Sequence, residues 1–405
     1  VYAVLSNGST TEVYSGEYTP TCFKGNTKIL TDKGYTNIEN IKAIPVAVDK
    51  NKIAIINDLV SSSIRIASSD WDANETSWDF NENELIRIYK ENHSADVDMD
   101  ANQLKDIVTL YKEYWTAQFN QLHANEEELN RQFIEIYGLE DELSPNVPLE
   151  EITILQQGEI KIEGDSIVWN DDVIVKQLIS YIVGCHMGRY RLDKPGLAIA
   201  HPDATDDEKA PYQIPGTPTT FTINEDALIP LLPAGSGFAD NGVLLVRKSI
   251  MDILGSKNYA ANLNCIETSL GKSLEDYIAK DFWNDHKKMY QNRPIYWLFS
   301  SKKGAFQVLV YMHRMTPFTV ERIRSKYLLP YIERLTNRIN DLNASILKLT
   351  SAQARTLTKM EKDLQECREY HDRLHVIADQ QIAFDLDDGV VGNYAKFGDV
   401  LAKIK

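Results

Sequence analysis

Apolar residues recur at helical spacing through much of the chain. Between residues 48 and 67, VDKNKIAIINDLVSSSIRIA carries Ile53, Ile56, Leu59, Val60 and Ile64 at the spacing of an amphipathic helix. Residues 101–137 predict a longer one: Leu104, Ile107, Tyr111, Tyr114, Leu122, Leu129, Phe133 and Ile136 fall on or near one face, and Gly138 is placed to stop it. Ser144-Pro145 and Pro148 then read as a linker. Between the two helices, SSDWDANETSWDFNENEL is acidic and aromatic, a solvated loop with two or three anchored rings. From Thr319 the helical period returns. Leu335, Ile339, Leu342, Ile346 and Leu349 form a heptad-like seam that loses register near Ser351 to Arg355 and resumes with Leu357, Met360, Leu364, Cys367, His371 and Leu374. The break favours an antiparallel helical hairpin packed back on its own chain.

Elsewhere the pattern is strand-like. Residues 1–46 hold short alternating pieces, TEVYSGEY and TKILTDKGY, with Asp32-Lys33-Gly34 as a turn. EIKIEGDSIVWN alternates across Gly164-Asp165, a short hairpin. In RPIYWLFSSKKGAFQVLVYMHRM (293–315), apolar runs at Tyr296–Phe299 and Ala305–Met312 flank the basic turn Ser300–Gly304. That predicts a buried hairpin or a strand entering a helix, and periodicity does not choose between them. Gly184 and Gly188 lie four apart, on one face if helical, permitting close backbone approach. Residues 201–220 are polar and Pro-rich and read as loop. The expected fold is mainly α with small β elements (α+β). It comprises a β-rich remnant (1–46), an acidic helical spacer (47–150), an α+β domain with a basic segment (151–330), and a helical hairpin or coiled coil with its tail (331–405).

Composition narrows the class. With 43% hydrophobic and 25% charged residues in 405, the chain resembles an ordinary soluble protein. It has no apolar run of about 18 residues and no secretory leader pattern at VYAVLSNGST, so a cytoplasmic location without membrane contact is expected. The absence of an initiator Met suggests a fragment. Cys22, Cys185, Cys265 and Cys367 lie far apart, which fits reduced thiols rather than a disulfide framework or zinc ribbon.

Charge changes the picture further. The net value is −16, yet His286–Arg338 holds eleven Lys or Arg against Glu321 and Glu333, a local +9 within a remainder of −25. A basic segment in an acidic chain is the footprint of a phosphate-facing surface, or of a face that pairs with acidic parts of the same molecule. The candidate DNA-binding residues are Lys287, Lys288, Arg293, Lys302, Lys303, Arg314, Arg322, Arg324 and Lys326.

Catalytic motifs are lacking. No dinucleotide or Walker loop, G-x-S-x-G elbow or H-E-x-x-H occurs, and Gly235-Ser236-Gly237 lacks the phosphate-binding Lys. FDLDDG (384–389) resembles a calcium loop but has Lys396 where the closing Glu belongs. Cys367, His371 and His375 share a helical stripe that could ligate a metal, yet they also belong to the seam and no fourth ligand is evident, so no metal is expected. CFKGNTKILTDKGYTNIENI resembles the opening of intein and Hedgehog-type self-processing domains, through Cys22, Gly25, Asn26, Thr27, Leu30 and Gly34. The Thr-x-x-His block and closing His-Asn of those domains do not follow, so self-processing is not expected.

Five passages point elsewhere: ETSWDF (75–80), IYGLEDELSPNVPLE (136–150), SYIVGCHMGRYRLDKPG (180–196), KDFWNDHKKMYQNRPIYWLFSSKKGAFQVLVYMHR (280–314) and FDLDDGVVGNYAKFGDVLAKIK (384–405). Together they resemble the carboxy-terminal half of PglX-type adenine-specific DNA methyltransferases of BREX phage-defence systems, over about residues 44–405. Ile44-Pro45-Val46 resembles the exit from a target-recognition domain, while residues 1–43 depart from the family. The family transfers a methyl group from S-adenosylmethionine to an adenine flipped out of the duplex. Its glycine-containing cofactor loop and Asn-Pro-Pro-Tyr motif do not occur here; there is no Pro-Pro step at all. The resemblance therefore implies a portion without catalytic residues or bound cofactor, S-adenosylmethionine serving the full-length enzyme. Its expected work is to position double-stranded DNA and dock other BREX-system proteins. The alternatives are an interaction scaffold without DNA contact and a truncated self-processing fusion.

Overall fold

A computed structural model of the protein describes residues 2–4, 10–12, 28–31, 34–37, 49–92, 103–344 and 349–404. Cys22, Gly25, Asn26, Thr27, Asp32-Lys33, Ile44-Pro45-Val46 and Ile346 lie outside the described residues. The chain divides into two compact units, Val1–Ser69 with Trp115–Ile154, and Asp70–Tyr114 with Leu155–Lys405. Helices predominate, with small antiparallel sheets of two or three strands. No described helix is long and apolar enough to cross a membrane.

The first unit holds two hairpins, β1 (Tyr2–Val4) with β2 (Thr10–Glu12) and β3 (Lys28–Thr31) with β4 (Gly34–Asn37). Two helices contribute to it, α1 (Lys50–Asp72) and α3 (Leu104–Tyr137). Within the unit they run antiparallel: Lys52 pairs with Glu135 at 2.6 Å and Asn125 Nδ2 donates to Ser63 Oγ at 3.4 Å. The linker after α3 folds back along it, because Val147 donates its N–H to Glu127 (3.2 Å) and its carbonyl meets His123 Nε2 at 2.7 Å.

Both helices match the sequence expectation in part: Ile56 of α1 and Leu104, Ile107, Tyr111 and Leu122 of α3 are buried as expected. In α1 the buried residues are Ile56 and Ile66, while Val60 and Ile64 face solvent. In α3, Trp115, Phe119 and Ile134 are buried, whereas Tyr114 is only half-buried and Phe133 is 42% exposed. A stripe of period 3.6 drifts over nine turns, so a face chosen from apolar type alone slips by one position.

The second unit is organised by β9 (Leu228–Pro230), β10 (Tyr296–Ser300) and β11 (Gln307–Tyr311), antiparallel in the order β10-β11-β9. The 293–315 stretch is thus a hairpin, and β11 passes directly into a single 3-10 turn, Met312–Arg314. Every residue of β10 is buried, because the C-terminal tail covers its free edge. Ala402 donates its N–H to the Leu298 carbonyl at 2.8 Å, and Phe384, Tyr394 and Phe397 ring Trp297. This shields an edge that would otherwise expose unpaired backbone groups.

The unit also holds α2 (Glu84–Asn92), the hairpin β5 (Ile160–Glu163) and β6 (Ser166–Trp169), and α4 (Asp171–His186). The expected 201–220 loop contains one turn of helix, α5 (Asp206–Lys209), and the short pair β7 (Tyr212–Gln213) and β8 (Thr220–Phe221). Four helices follow β9: α6 (Gly242–Leu254), α7 (Tyr259–Leu270), α8 (Leu274–Lys280) and α9 (Phe282–Met289).

The terminal region passes from α10 (Thr319–Arg322) through a π-helical stretch, Ile323–Leu328, into α11 (Leu329–Asn343). The wide turns have a cause. Pro330 lacks an N–H and its ring crowds the preceding turn, which the π geometry relieves. After α11, α12 (Ser351–Asp379) returns antiparallel, burying Leu357, Cys367, Tyr370, Leu374 and Ala378, and α13 (Gly389–Ala395) leads into the tail. The expected seam holds at Leu335, Ile339, Leu357, Cys367 and Leu374. His371 lies at its margin beside Arg324.

Candidate nucleic-acid interface

Strand register separates the basic residues. Tyr296 opposes Tyr311 at one end of the β10–β11 ladder and Ser300 opposes Gln307 at the other. Arg293 therefore lies beyond the first end and Lys302 and Lys303 beyond the second, the ladder ends being about 13 Å apart at roughly 3.3 Å per strand residue. All three side chains are exposed and form no ion pair among the described residues. Lys288 on α9 and Arg322 on α10 are likewise exposed and without an ion pair there. Lys287, on α9, lies over the Trp283 ring at 5.1 Å.

Three of the nine are engaged within the chain. Arg314 is 7% exposed, and its guanidinium donates to the carbonyls of Met187 (3.1 Å), Asn224 (3.0 Å) and Glu225 (2.6 Å). A guanidinium committed to three carbonyls of its own chain has little left to offer a phosphate. Arg324 forms a two-pronged pair with Glu321 (2.7 and 2.9 Å) and reaches His371 at 3.1 Å. Lys326 pairs with Asp226 at 2.7 Å and Asp240 at 3.5 Å.

The buried polar centre of this unit was not legible from spacing. Glu75 accepts from Arg189 at 3.0 Å and from Ser180 Oγ at 2.6 Å. Arg189 also donates to Tyr290 Oη at 2.7 Å, and Tyr290 Oη donates to the Glu75 carbonyl at 3.3 Å. Beside them His286 stacks on Tyr296, ring centres 4.4 Å apart, and its Nε2 accepts the Tyr296 N–H at 3.0 Å. Burial first, and then the Arg189 charge, hold this imidazole well below its usual pKa, so it is neutral. Gly184 on α4 permits the packing, since a Cβ there would lie 2.6 Å from Tyr190 and 2.9 Å from Tyr296 Oη. Gly188 has a different job: it lies beyond the helix with φ +75°, as a left-handed stop. Glu75, Ser180, Arg189, Tyr290 and Tyr296 come from three of the passages singled out in the sequence, and the fold brings those passages together.

A cleft of about 310 Å³ opens beside this centre, floored by Phe80, Val173 and Met289 and rimmed by Asn74, Gln177, Lys176 and Lys288. Of the aromatic residues expected to anchor the acidic loop, only Phe80 is buried; Trp71 is exposed and Trp78 is fully so. The cysteine–histidine stripe does not converge. Cys367 is in the core, where burial raises its thiol to about 12, while His375 is exposed. Among the described residues no group of His, Cys, Asp or Glu is arranged to hold a metal ion.

No protein-family model matches the chain. Individual proteins do. The chain is 34% identical over 372 residues to the adenine-specific methyltransferase BrxX of Escherichia coli O9:H4 (strain HS), covering 86% of this chain and 30% of that protein. It is related in sequence to PglX-type adenine-specific methyltransferases. A second such relative, the adenine-specific methyltransferase PglX of Lacticaseibacillus casei (strain Zhang), is 35% identical over 355 residues, which is 84% of this chain and 27% of that protein. The chain thus spans somewhat under a third of the length of the curated relatives it matches.

Proposed function

We propose that this chain is the carboxy-terminal, DNA-positioning and partner-docking portion of an adenine-specific DNA methyltransferase of the PglX type, acting in a BREX-type phage-defence system in the cytoplasm. Methyl transfer from S-adenosylmethionine is assigned to the remainder of the enzyme. The described residues offer neither a glycine-rich loop opening a helix nor an Asn-Pro-Pro-Tyr motif to stack a flipped adenine.

The observation that carries the reading is a conjunction. Similarity to adenine-specific methyltransferases extends over more than four-fifths of the chain, and within an acidic chain the basic segment 286–338 keeps five exposed cations without an ion pair among the described residues. In this reading Lys288, Arg293, Lys302, Lys303 and Arg322 grip phosphates, contacts that fix register without reading sequence. Partner docking rests on a separate feature: Trp71 and Trp78 present large apolar surface to solvent.

Charge reversal at those five cations in the complete protein tests the DNA reading. Duplex affinity is expected to fall, and the dependence of log K on log salt to flatten by about 0.9 for each phosphate no longer neutralised. An unchanged salt slope would remove DNA contact and leave the scaffold reading.

A further inference from the structure

The β10–β11 turn binds an anion already. Gly304 adopts φ +79°, and on either side of it the N–H groups of Lys303 and Ala305 turn toward one point. There the Glu366 carboxylate of α12 sits, its Oε1 2.6 Å from Lys303 N and 3.5 Å from Ala305 N. The Gly304 N–H between them is donated to the Ser301 carbonyl at 3.1 Å, so two alternate amides converge on one carboxylate oxygen, in the manner of the backbone nests that otherwise hold phosphate. Lys302 and Lys303 flank it, exposed and without an ion-pair partner among the described residues.

A groove of about 650 Å³ runs past this turn, lined among others by Lys280, Lys303, Lys359, Glu275, Asp276 and Asp363. Its acids are occupied or suppressed. Asp276 is bound to Lys280 and Ser273, and Glu275 accepts the Ala234 N–H at 2.9 Å. Burial, opposed by Lys359, raises the pKa of Asp363. Of the carboxylates near the turn, Glu366 is the one seated on its amides.

We propose that the β10–β11 turn is a nucleic-acid phosphate site held shut by Glu366, and that a DNA phosphate takes the place of this carboxylate on the Lys303 and Ala305 amides. Glu366 then acts as an internal phosphate mimic that weakens non-productive binding, and the turn opens only where the rest of the enzyme has already seated the duplex. This rests on the DNA-positioning reading above and adds the site and its competitor.

Glu366→Gln in the complete protein tests it. The amide oxygen can still accept from the two N–H groups, so folding is retained, while the charge is lost. Duplex affinity is expected to rise about fivefold, the worth of one unit charge roughly 4 Å away in water. The salt slope is expected to steepen by about 0.9. If Glu366→Gln binds like wild type while Lys302→Glu with Lys303→Glu weakens binding, the nest is only a staple between turn and helix, and the DNA reading survives. If neither changes binding, both fail at this edge. A second measurement uses no variant. Hydrogen exchange of wild type should show the 303–305 amides still protected on duplex binding while the segment of α12 around Glu366 loosens; no change there overturns the proposal.

Discussion

Glu75 and Arg189, 114 positions apart, form an ion pair at 3.0 Å with side chains only 6% and 11% exposed. Glu75 comes from the segment after α1 and Arg189 from just beyond the end of α4. Their contact joins these two segments inside the second unit, with Ser180 donating to the other Glu75 oxygen and Arg189 also donating to Tyr290. Removing one partner strands the other charge where water cannot reach it. Glu75→Gln is expected to destabilise the protein by about 3–5 kcal/mol. Denaturant unfolding followed by tryptophan fluorescence measures this, and a loss below about 1 kcal/mol would contradict it.

Gly184 gives a steric prediction. Gly184→Ala sets a methyl 2.6 Å from the Tyr190 ring, which is itself held against Phe80 and Tyr181. The expected cost is about 1–3 kcal/mol of overpacking, despite the higher helix propensity of Ala. A melting temperature at or above wild type would show that the rings yield freely.

Arg314 separates stability from DNA contact. Arg314→Ala leaves three carbonyls without their donor and should cost about 1–3 kcal/mol. Because the guanidinium is buried, the salt slope of duplex binding should stay unchanged at a temperature where the variant is folded. A slope that flattens as it does for Lys302→Glu would return Arg314 to the interface.

Asp70 governs a pH effect. Burial, reinforced by Glu159 and Glu84 and opposed by the Leu155 N–H at 2.9 Å, raises its carboxyl to about 6. The folded state therefore binds this proton more tightly than the unfolded chain does. The stabilisation is complete below about pH 4 and is lost as pH rises to about 6, by at most about 3 kcal/mol. Asp70→Asn retains an acceptor for Leu155 and should flatten the stability profile over that window. An unaltered profile between pH 4 and 6 would exclude Asp70 as its source.

What could be read from residues alone was local. Alternation across Gly164-Asp165, the paired apolar runs around Ser300–Gly304 and the seam through Leu335, Ile339 and Leu357 each rest on contacts between near neighbours or on a single period. The 160–169 hairpin and the antiparallel helices formed as expected, and of the two outcomes left open for 293–315 the structure has the hairpin. The drifting stripes of α1 and α3 were less legible, since which of two adjacent apolar residues is buried depends on what packs against them.

The excess of cations in 286–338 and the similarity of separated passages to a methyltransferase were properties of the sequence by itself. Tertiary structure decided which cations remain free. It buried Arg314 on three carbonyls, paired Arg324 and Lys326 with acids, and left Lys302 and Lys303 exposed at a turn whose amides face Glu366. It also drew Glu75, Arg189 and Tyr290 into one network. The reason is physical: sequence carries charge and period, whereas desolvation and hydrogen-bond partnership are set by residues distant in the chain, and those partners decide whether a charge holds the fold together or faces a ligand.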